Sequence, residues 1–536
     1  MFMSEDRFSR KVFLSALAFC AALLGIGSYF RFRKKNIQGN ILGPDRETGH
    51  RIRQVRTDFS PVSTIQTKVL IAGGGISGLS SGYYLSQFGI SDYLILDLEN
   101  QVGGNSRYSE TDSLKYPWGA HYLPQPGPES VLVRKFLEEN GLVQGKDSDG
   151  NPIYPEKYLC FDPEERLFYQ GRWQAGLVPR RTGEPDEQEL LFRKIINSWQ
   201  NKKGRDGQKA FCIPIDRSSR DPEILKLDRI SFSDYLKTSG IQSPEILWYA
   251  DYCTRDDYGG NSDNISAWAG LHYFCSRLRE EEDSPPVLTW PEGNGFLLEL
   301  LQKPSKDKIR TSSLVERIRK NSATWEINAY DIKTKKDLLI KAEQVIYALP
   351  SFTRKYILGE KDSILQRLEY SPWLVANLFV DELPQGKGHP PAWENVIYKS
   401  KSLGYVVSTH QDLRALRPQS VLTYYLAFGE KDTLASRRSI LPKTWDTWKE
   451  EILSDLKRPH PNIESLVSRI DIMTHAHAMV RPVPGFLWGG EREKLAKSES
   501  GIHFAHCDLS GISIFEEALY RGFEASKKVQ TVAKRS

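Results

Sequence analysis

Residues 68–106 read KVLIAGGGISGLSSGYYLSQFGISDYLILDLENQVGGNS, and this stretch decides the fold. Its first residues, Lys68 to Ala72, are a short apolar run that predicts a buried parallel strand. The run ends in consecutive glycines, and Gly73, Gly75 and Gly78 form the pattern G-x-G-x-x-G. In this pattern the first glycine allows a tight turn, the second lets backbone approach a pyrophosphate, and the third lets a helix pack on the strand.

The residues after the glycines complete a dinucleotide-binding unit. Apolar residues from Ile76 to Leu85 follow helical spacing, so a phosphate would lie at a helix N-terminus, where free N–H groups and the helix dipole favour an anion. A second strand, Tyr93 to Leu96, then delivers Asp97 about 20 residues past the glycines, where a carboxylate accepts hydrogen bonds from a ribose. The order strand, turn, helix, strand, acid predicts a doubly wound α/β domain; a glycine-rich turn without a ligand is the alternative.

The next glycines indicate which nucleotide binds. Gly103 and Gly104 follow Asp97 at a spacing of six residues and precede Asn105. This arrangement resembles the flavin-containing amine oxidase superfamily, which includes monoamine and polyamine oxidases, protoporphyrinogen oxidase and phytoene desaturases. Its members typically have an acid, four or five residues, and then Gly-Gly-Arg, and they bind FAD. Asn105 replaces the usual arginine, so the resemblance leaves one flavin or phosphate contact without its usual charge.

The same resemblance implies further cofactor contacts. Gly119 and Ala120 match small residues that let backbone lie against the isoalloxazine, although Pro117 replaces the usual aspartate. Val315 stands where relatives make backbone contacts to adenine. Near the C-terminus, Asp508 takes the place of the closing glutamate that meets the ribityl or pyrophosphate region. The helix predicted from Phe515 to Val529 would face the flavin's C2 carbonyl with its N-terminus and stabilise negative charge there.

The candidate catalytic residues match the family less closely. Relatives commonly hold a water near flavin N5 with a lysine, and Asn377 occupies that position here. An amide can hold a water but cannot supply the charge. His121 follows the small pair and points at the expected pocket, with a hydrogen-bonded structural histidine as the alternative. Arg481, in a proline-rich turn, could anchor an anionic group or act structurally. The stretch from Tyr252 to Gly260 combines charges with aromatic residues, which suits a substrate wall or an internal salt bridge.

The predicted architecture is α/β, with a discontinuous Rossmann-like FAD-binding domain, an α+β substrate domain and an N-terminal hydrophobic helix. Residues 36–65 read as a linker or an arm laid over the domain. The composition is that of an ordinary globular protein, and the net charge of +5 is mixed along the chain, so nucleic-acid binding has no support. The segments are 1–35 for a signal or anchor, 66–125, 286–355 and 481–536 for the FAD-binding domain, and 126–285 and 356–480 for the substrate domain.

The amino terminus predicts either export or anchoring. Residues 12–30 carry no charge and are long enough to cross a bilayer. Arg10 and Lys11 resemble a twin-arginine signal with lysine as its second basic residue, and an FAD enzyme that folds before export needs such a route. The basic residues of 31–35 would instead keep the bulk of the chain in the cytoplasm by the positive-inside rule. We favour an exported, membrane-associated enzyme on the periplasmic side, with the cytoplasmic-facing anchor as the alternative.

The six cysteines and ten histidines show no metal-ligand spacing, so no metal is predicted. The Ser-Gly-Gly-Cys-Tyr context of covalent flavin attachment in some relatives is absent, so we expect noncovalent FAD. The resemblance implies an FAD-dependent oxidoreductase that takes a hydride from an amine-like small molecule and passes electrons to oxygen or another acceptor. A desaturase or isomerase of an apolar polyene or ring, and a flavin-binding scaffold without turnover, are the alternatives.

Overall fold

The computed structural model describes residues 36–54, 56–181, 183–277, 286–412, 419–498 and 500–533. The predicted apolar segment at 12–30, with its export and anchor interpretations, lies outside these residues. Within the described ranges, no helix is long and apolar enough to cross a membrane.

A seven-stranded sheet carries the glycine-rich turn and confirms the predicted Rossmann-like α/β domain. The two predicted strands lie side by side and parallel, although the first begins earlier than predicted, at Pro61. The strand Lys336–Tyr347 pairs with the first strand along its length and with Ile502–Phe504 at its final three residues. In spatial order the strands are Ile309–Arg310, Tyr93–Leu96, Pro61–Ala72, Lys336–Tyr347, Thr324–Asp331 and Ser313–Asn321, with Ile502–Phe504 beside Lys336–Tyr347.

A second sheet of the molecule has eight strands. Every residue of its strand Tyr370–Val380 is buried, as expected for a strand covered on both faces. Alternate residues point to opposite faces: Leu374 packs into a core with Trp448, whereas Trp373 faces the other way. The strands are, in spatial order, Ile41–Leu42, Val467–Val480, Tyr370–Val380, Ser420–Ala427, Gly404–Val407, Glu394–Ile397, Glu165–Tyr169 and Arg172–Ala175.

Helices cover both sheets, and their ends follow from the sequence. Pro244–Tyr258 begins after Ser243, whose side chain accepts the N–H of Ile246, and ends at Gly259 in the left-handed conformation. The longer helices are Ile76–Gln87, Val131–Glu139, Glu187–Gln200, Phe232–Thr238, Pro244–Tyr258, Ala267–Cys275, Gly295–Gln302, Thr433–Ile440, Trp445–Leu456 and Phe515–Ala533. Short helices are Arg46–Gly49, Pro222–Leu225, Arg354–Ile357, Ile364–Arg367, Ile463–Leu466 and Glu491–Leu495.

The segment predicted as a linker, 36–65, lies as an arm across both sheets. Ile41–Leu42 pairs in parallel with the edge of the second sheet. Farther along, the two terminal nitrogens of Arg56 donate to the Asp337 carboxylate at 2.7 and 2.9 Å. The last residues of the segment already belong to the strand that starts at Pro61. Charged and backbone contacts therefore tie this polar stretch to the folded body.

Candidate active site

The glycine-rich turn has the geometry that a dinucleotide needs. Gly73 has a φ of +102°, and a Cβ on Gly78 would lie 1.9 Å from the Gly73 carbonyl oxygen. A Cβ on Gly75, by contrast, would meet no atom of the described chain within 4 Å. Gly75 begins the helix Ile76–Gln87 without a side-chain cap, so the first helical N–H groups face this open space. The turn therefore fits the pyrophosphate of FAD, with Gly78 as the packing glycine and Gly75 as the glycine of closest approach.

Asp97, the acidic residue predicted to bind a ribose, also stabilises the turn. One Asp97 carboxylate oxygen accepts the Gly74 N–H at 2.7 Å, and the other accepts the Glu99 N–H at 2.8 Å. Burial raises the pKa of Asp97 to about 6, against the lowering effect of these two hydrogen bonds. A carboxylate has about four lone-pair sites. Asp97 therefore keeps acceptor capacity for a ribose while it holds the strand end in place.

The second glycine pair packs directly on the first. Gly103 has a φ of +119° and donates its N–H to the Gly74 carbonyl at 2.8 Å. The exposed Asn105 donates its side-chain amide to the Ala478 carbonyl at 2.7 Å, so it bridges the turn to the second sheet. Arg107, two residues later, is buried and lies 3.3 Å from the Glu99 carboxylate. Arg107 therefore stabilises the turn, although position 105 lacks the arginine that is usual in the family.

A cavity is lined by strands of the second sheet and by loops of the predicted cofactor segments. A Cβ on Gly119 would lie 2.2 Å from the Asn105 carbonyl oxygen, so the small residue is required for the two loops to meet there. The predicted cofactor segments contribute Asn105, Gly119, Ala120, Ser513, Ile514 and Phe515 to the lining. The predicted substrate segments contribute Asp256, Asp257, Arg277, Trp373, Val375, Tyr425, His475, Ala478 and Met479. Both sets of predicted segments therefore converge on one cavity.

Aromatic rings form one wall of this cavity. His121 stacks on Tyr425 with ring centroids 4.8 Å apart, and it lies 5.3 Å from the ring of Trp393. The Tyr425 hydroxyl donates to the Gly119 carbonyl at 2.9 Å, which fixes the ring beside the predicted flavin contact. Burial lowers the pKa of His121 to about 4. His121 is therefore a neutral imidazole at pH 7 and is the one of the three predicted catalytic residues that lines the cavity.

Acidic side chains also line the cavity. Asp256 and Asp257 stand near the end of the helix Pro244–Tyr258, and Asp257 pairs with Arg277 at 2.6 Å. Asp256 accepts a longer hydrogen bond, 3.4 Å, from the Tyr122 hydroxyl. Burial, and then the charges of neighbouring carboxylates, raise the pKa of Asp256 well above its usual range. Burial likewise raises the pKa of Glu516 to about 7. The wall is thus rich in acceptors and holds more acids than bases.

His475 is a cavity residue to which the sequence assigned no role. It lies on the strand Val467–Val480, and its Nε2 atom is buried with no hydrogen-bond partner among the described residues. Burial and the charge of Arg107 lower the pKa of His475 to about 4, so the ring is neutral. An unpaired buried nitrogen at a cavity wall is costly unless a ligand pairs with it. This orphaned nitrogen is a second feature that fits a bound cofactor or substrate.

Two of the predicted catalytic residues lie away from the cavity lining. Asn377 is fully buried; its amide donates to the Pro117 carbonyl at 3.0 Å and its oxygen accepts from the Thr423 hydroxyl at 2.7 Å. Arg481 is also buried, and its guanidinium donates to the Ser371 hydroxyl at 2.7 Å and to three backbone carbonyls. Both side chains have their hydrogen-bonding capacity used by the protein itself, which favours a structural role for each.

The carboxylate of Asp508 likewise makes its hydrogen bonds within the protein. It accepts the Ser351 N–H at 2.7 Å and the Tyr370 hydroxyl at 2.6 Å, and His506 Nδ1 lies 3.0 Å from its other oxygen. The Sγ atom of the adjacent Cys507 lies 3.7 Å from the Oγ atom of Ser513, which lines the cavity. The cofactor contact expected of Asp508 stays a prediction.

Val315 and Phe515, both predicted to contact the cofactor, lie near the starts of their strand and helix. Val315 is buried at a bulge in the strand Ser313–Asn321, and the first residue of that strand donates its N–H to the Asp97 carbonyl at 2.7 Å. Phe515 begins the helix Phe515–Ala533 at the cavity, as predicted, and the helix runs four residues beyond the predicted end at Val529. Other cavity residues, such as Tyr425, carry no motif that could have identified them.

The fold defines a protein with a Rossmann-like nucleotide-binding domain, and comparisons with known proteins agree. Residues 71–139 match the model of the NAD(P)-binding Rossmann-like domain. The chain is 22% identical over 528 residues to the oxidoreductase PigB of a Serratia species, covering 88% of this chain and 76% of that protein. A redesigned putrescine oxidase superposes with a TM-score of 0.64 at 14% identity, covering 88% of this chain and 100% of that one.

A second similar structure is a fatty acid isomerase from P. acnes, with a TM-score of 0.57 at 16% identity, covering 90% of this chain and 99% of that one. At these identities the structural likenesses show the fold. Together the comparisons confirm the predicted resemblance to the flavin-containing amine oxidase superfamily and the prediction of an oxidoreductase. They imply FAD as the cofactor.

Proposed function

We propose that the chain oxidises an amine-like substrate with noncovalently bound FAD. The observation that carries this proposal is the cavity itself, where the flavin-type loop at Gly119 and Ala120 meets aromatic rings and the carboxylate of Asp256. Aromatic faces and carboxylates are the groups that recognise an organic cation. The redesigned putrescine oxidase and the similarity to PigB support an oxidoreductase on this fold.

FAD, when bound, would take a hydride equivalent from the C–H bond beside the substrate nitrogen, leaving an imine, and would later pass the electrons to oxygen or another acceptor. The protein supplies position and electrostatics. The turn at Gly73, Gly75 and Gly78 would hold the pyrophosphate, and the N-terminus of Phe515–Ala533 lies at the cavity. The neutral imidazoles of His121 and His475 can accept a hydrogen bond from a substrate or cofactor N–H.

The test is anaerobic bleaching of the flavin absorption in the FAD-loaded protein by a panel of monoamines, polyamines, amino acids and apolar polyenes. We expect amines to bleach the flavin. In Asp256→Asn the apparent second-order rate constant should fall about tenfold, because an amide cannot ionise to pair with a bound ammonium group. Asp149→Asn, at an exposed loop position, is the matched control and should leave the rate unchanged.

A polyene that bleaches the flavin while every amine fails would replace amine oxidation with the desaturase or isomerase alternative. A yellow protein that only dithionite bleaches would favour the flavin-binding scaffold. Release of all flavin on acid denaturation is the expected result for noncovalent FAD, and flavin retained on the denatured chain would contradict that part of the proposal.

A further inference from the structure

Glu516 is a buried side chain at the cavity that has no role in the reaction proposed so far. It is the second residue of the helix Phe515–Ala533, it lines the cavity, and 5% of its surface is exposed. Within the described ranges, no other residue donates a hydrogen bond to its carboxyl group, and no cation lies within ion-pair distance of it. A buried carboxyl group without a partner is costly unless a ligand pairs with it.

The adjacent residue, Glu517, shows the opposite arrangement on the same helix. One Glu517 carboxylate oxygen accepts the Ile215 N–H at 2.6 Å, and the other accepts the Ser510 hydroxyl at 2.6 Å. Successive helix residues point about 100° apart, so Glu517 is bonded within the protein while Glu516 reaches the cavity. Glu517 therefore serves the fold, whereas the acceptor capacity of Glu516 is left for a ligand.

Three charged groups face Glu516. Arg277 and Asp257 line the same cavity and pair with each other at 2.6 Å, so their charges largely cancel. Glu517 is the third, a like charge on the same helix. Burial raises the pKa of Glu516 to about 7, against the lowering effect of a hydrogen bond from its own backbone. The cavity thus contains a carboxyl group that gains and loses its proton near neutral pH.

The other carboxyl and imidazole groups of the cavity are less suited to accept a proton. His121 and His475 have pKa values of about 4, so both hold a proton poorly at pH 7. Asp257 is already paired with Arg277, and Asp256 accepts the Tyr122 hydroxyl. Among the cavity residues that the structure describes, Glu516 therefore combines a carboxyl group without a partner with a pKa matched to neutral pH. Both properties are those of a general base.

Amine oxidation needs such a base. An alkylamine is an ammonium ion at pH 7, because its pKa is about 10. An ammonium nitrogen has no lone pair with which to stabilise the positive charge that forms when the neighbouring C–H bond gives up its hydride. The proton must therefore leave the nitrogen before the substrate is oxidised.

We propose that the Glu516 carboxylate takes this proton from the substrate. The N–H bond of the ammonium group breaks, its electron pair stays on nitrogen, and an O–H bond forms on the carboxylate. No oxidant or reductant takes part, and the carboxyl group returns the proton to water after the product leaves. This inference rests on the proposed amine oxidation and adds the residue that prepares the substrate for it.

The test is the pH dependence of flavin bleaching in the FAD-loaded protein without oxygen, with the fastest-reacting amine of the panel. We expect the apparent second-order rate constant to rise about tenfold per pH unit up to about pH 7 and then to level off, because Glu516 must be ionised to accept the proton. In Glu516→Gln the rate constant should be at least about 100-fold lower at pH 8. It should also keep rising up to the pKa of the amine, because only the free amine then reacts.

Two further variants distinguish a base from a structural side chain. Glu516→Asp keeps a carboxylate, so its rate constant should again level off below the pKa of the amine. Glu524→Gln lies two turns farther along the same helix and outside the cavity lining, and it should keep the wild-type pH profile.

A second measurement does not depend on turnover. Calorimetric titration with the same amine, or with phenethylamine if none reacts, in buffers of different ionisation enthalpy counts the protons released on binding. Amine and carboxylate share a single proton in the complex, so Glu516→Gln should release about one proton fewer than the wild type at pH 6. At pH 8, where Glu516 is already ionised, the two proteins should release about equal numbers.

The outcomes separate this proposal from amine oxidation itself. A wild-type pH profile in Glu516→Gln overturns the base and keeps amine oxidation. An equal loss of rate at every pH, which Glu516→Asp does not restore, also overturns the base and assigns Glu516 to the fold. If no amine bleaches the flavin, amine oxidation is overturned; proton release at pH 6 that Glu516→Gln removes then keeps Glu516 as the group that exchanges a proton with a bound amine. Unchanged proton release, or binding of no amine, overturns both.

Discussion

The proposed nucleotide site at the glycine-rich turn and the proposed substrate site in the cavity are built by different means, and we call them the nucleotide end and the substrate end. At the nucleotide end, the site consists of backbone: Gly73, Gly75 and Gly78 matter because they lack side chains. At the substrate end, the site consists of side chains such as Tyr425 and Asp256, brought from a strand and a helix far apart in sequence. The first kind of site is sensitive to a single methyl group. The second kind can change its ligand by changing a charge.

The largest expected effect is therefore at the nucleotide end. In Gly78→Ala the new Cβ would lie 1.9 Å from the Gly73 carbonyl oxygen, so the helix must move off the strand. We expect the free energy of unfolding to fall by about 3 kcal/mol or more and flavin to be lost. Urea denaturation and the flavin content of the purified protein measure both quantities.

Gly75→Ala is the matched control, because its Cβ would meet no described atom within 4 Å and its φ of −72° suits alanine. Stability should change by less than about 0.5 kcal/mol, while the dissociation constant for FAD should rise at least about tenfold. Unchanged FAD affinity in this variant would mean that the pyrophosphate does not approach Gly75.

A smaller effect is expected where a charged side chain serves only the fold. Arg481→Lys replaces a guanidinium that donates to Ser371 and to three backbone carbonyls, and a lysine cannot reproduce that fork. We expect stability to fall by about 2 kcal/mol, with the rate of flavin bleaching by amines in the folded, FAD-loaded protein unchanged. Arg319→Lys, at an exposed strand position, is the control for stability. Slower bleaching in the folded Arg481→Lys protein would assign this residue to the site after all.

The smallest expected effect concerns Glu394 and the way the free energy of unfolding depends on pH. The pKa of Glu394 is raised to about 7. Between about pH 4 and pH 7 the folded protein therefore keeps the Glu394 proton, whereas the unfolded chain has lost it. Stability from this group is therefore greatest at low pH, falls as pH rises from about 4 to about 7, and is constant above that range. Glu394→Gln should raise the free energy of unfolding by about 1 kcal/mol at pH 8 and by less at pH 5. Equal effects at both pH values would contradict the buried, proton-holding carboxylate.

The site was predictable from the sequence wherever its function depends on backbone. The strand Tyr93–Leu96 and the start of the helix at Phe515 agree with the structure to the residue, because hydrophobic periodicity and glycine patterns are local signals. The cavity contacts of Gly119 and Ala120 followed from a resemblance in a short motif. The motif also places a carboxylate at Asp508, which accepts the Tyr370 hydroxyl in the fold, and its expected cofactor contact stays a prediction.

Side-chain sites were less predictable for a physical reason. Asn377 and Trp373 lie on the same face of one strand, yet Trp373 borders the cavity and Asn377 is bonded to Pro117. Which of them borders open space depends on the loop that covers the strand. Periodicity reports the face that a residue occupies and carries no information on what is packed against it.

By itself, the sequence determined that this protein has a Rossmann-like nucleotide-binding domain with a second glycine pair after its acidic residue. These features depend on backbone conformation and hydrophobic spacing, which neighbouring residues specify. Only the tertiary structure decided that Glu165 and Glu394 are register partners and that the hydroxyl of Tyr252 joins them to the helix of Asp256. Those contacts join residues more than a hundred positions apart, and no local pattern encodes a pairing that the closure of the whole fold creates.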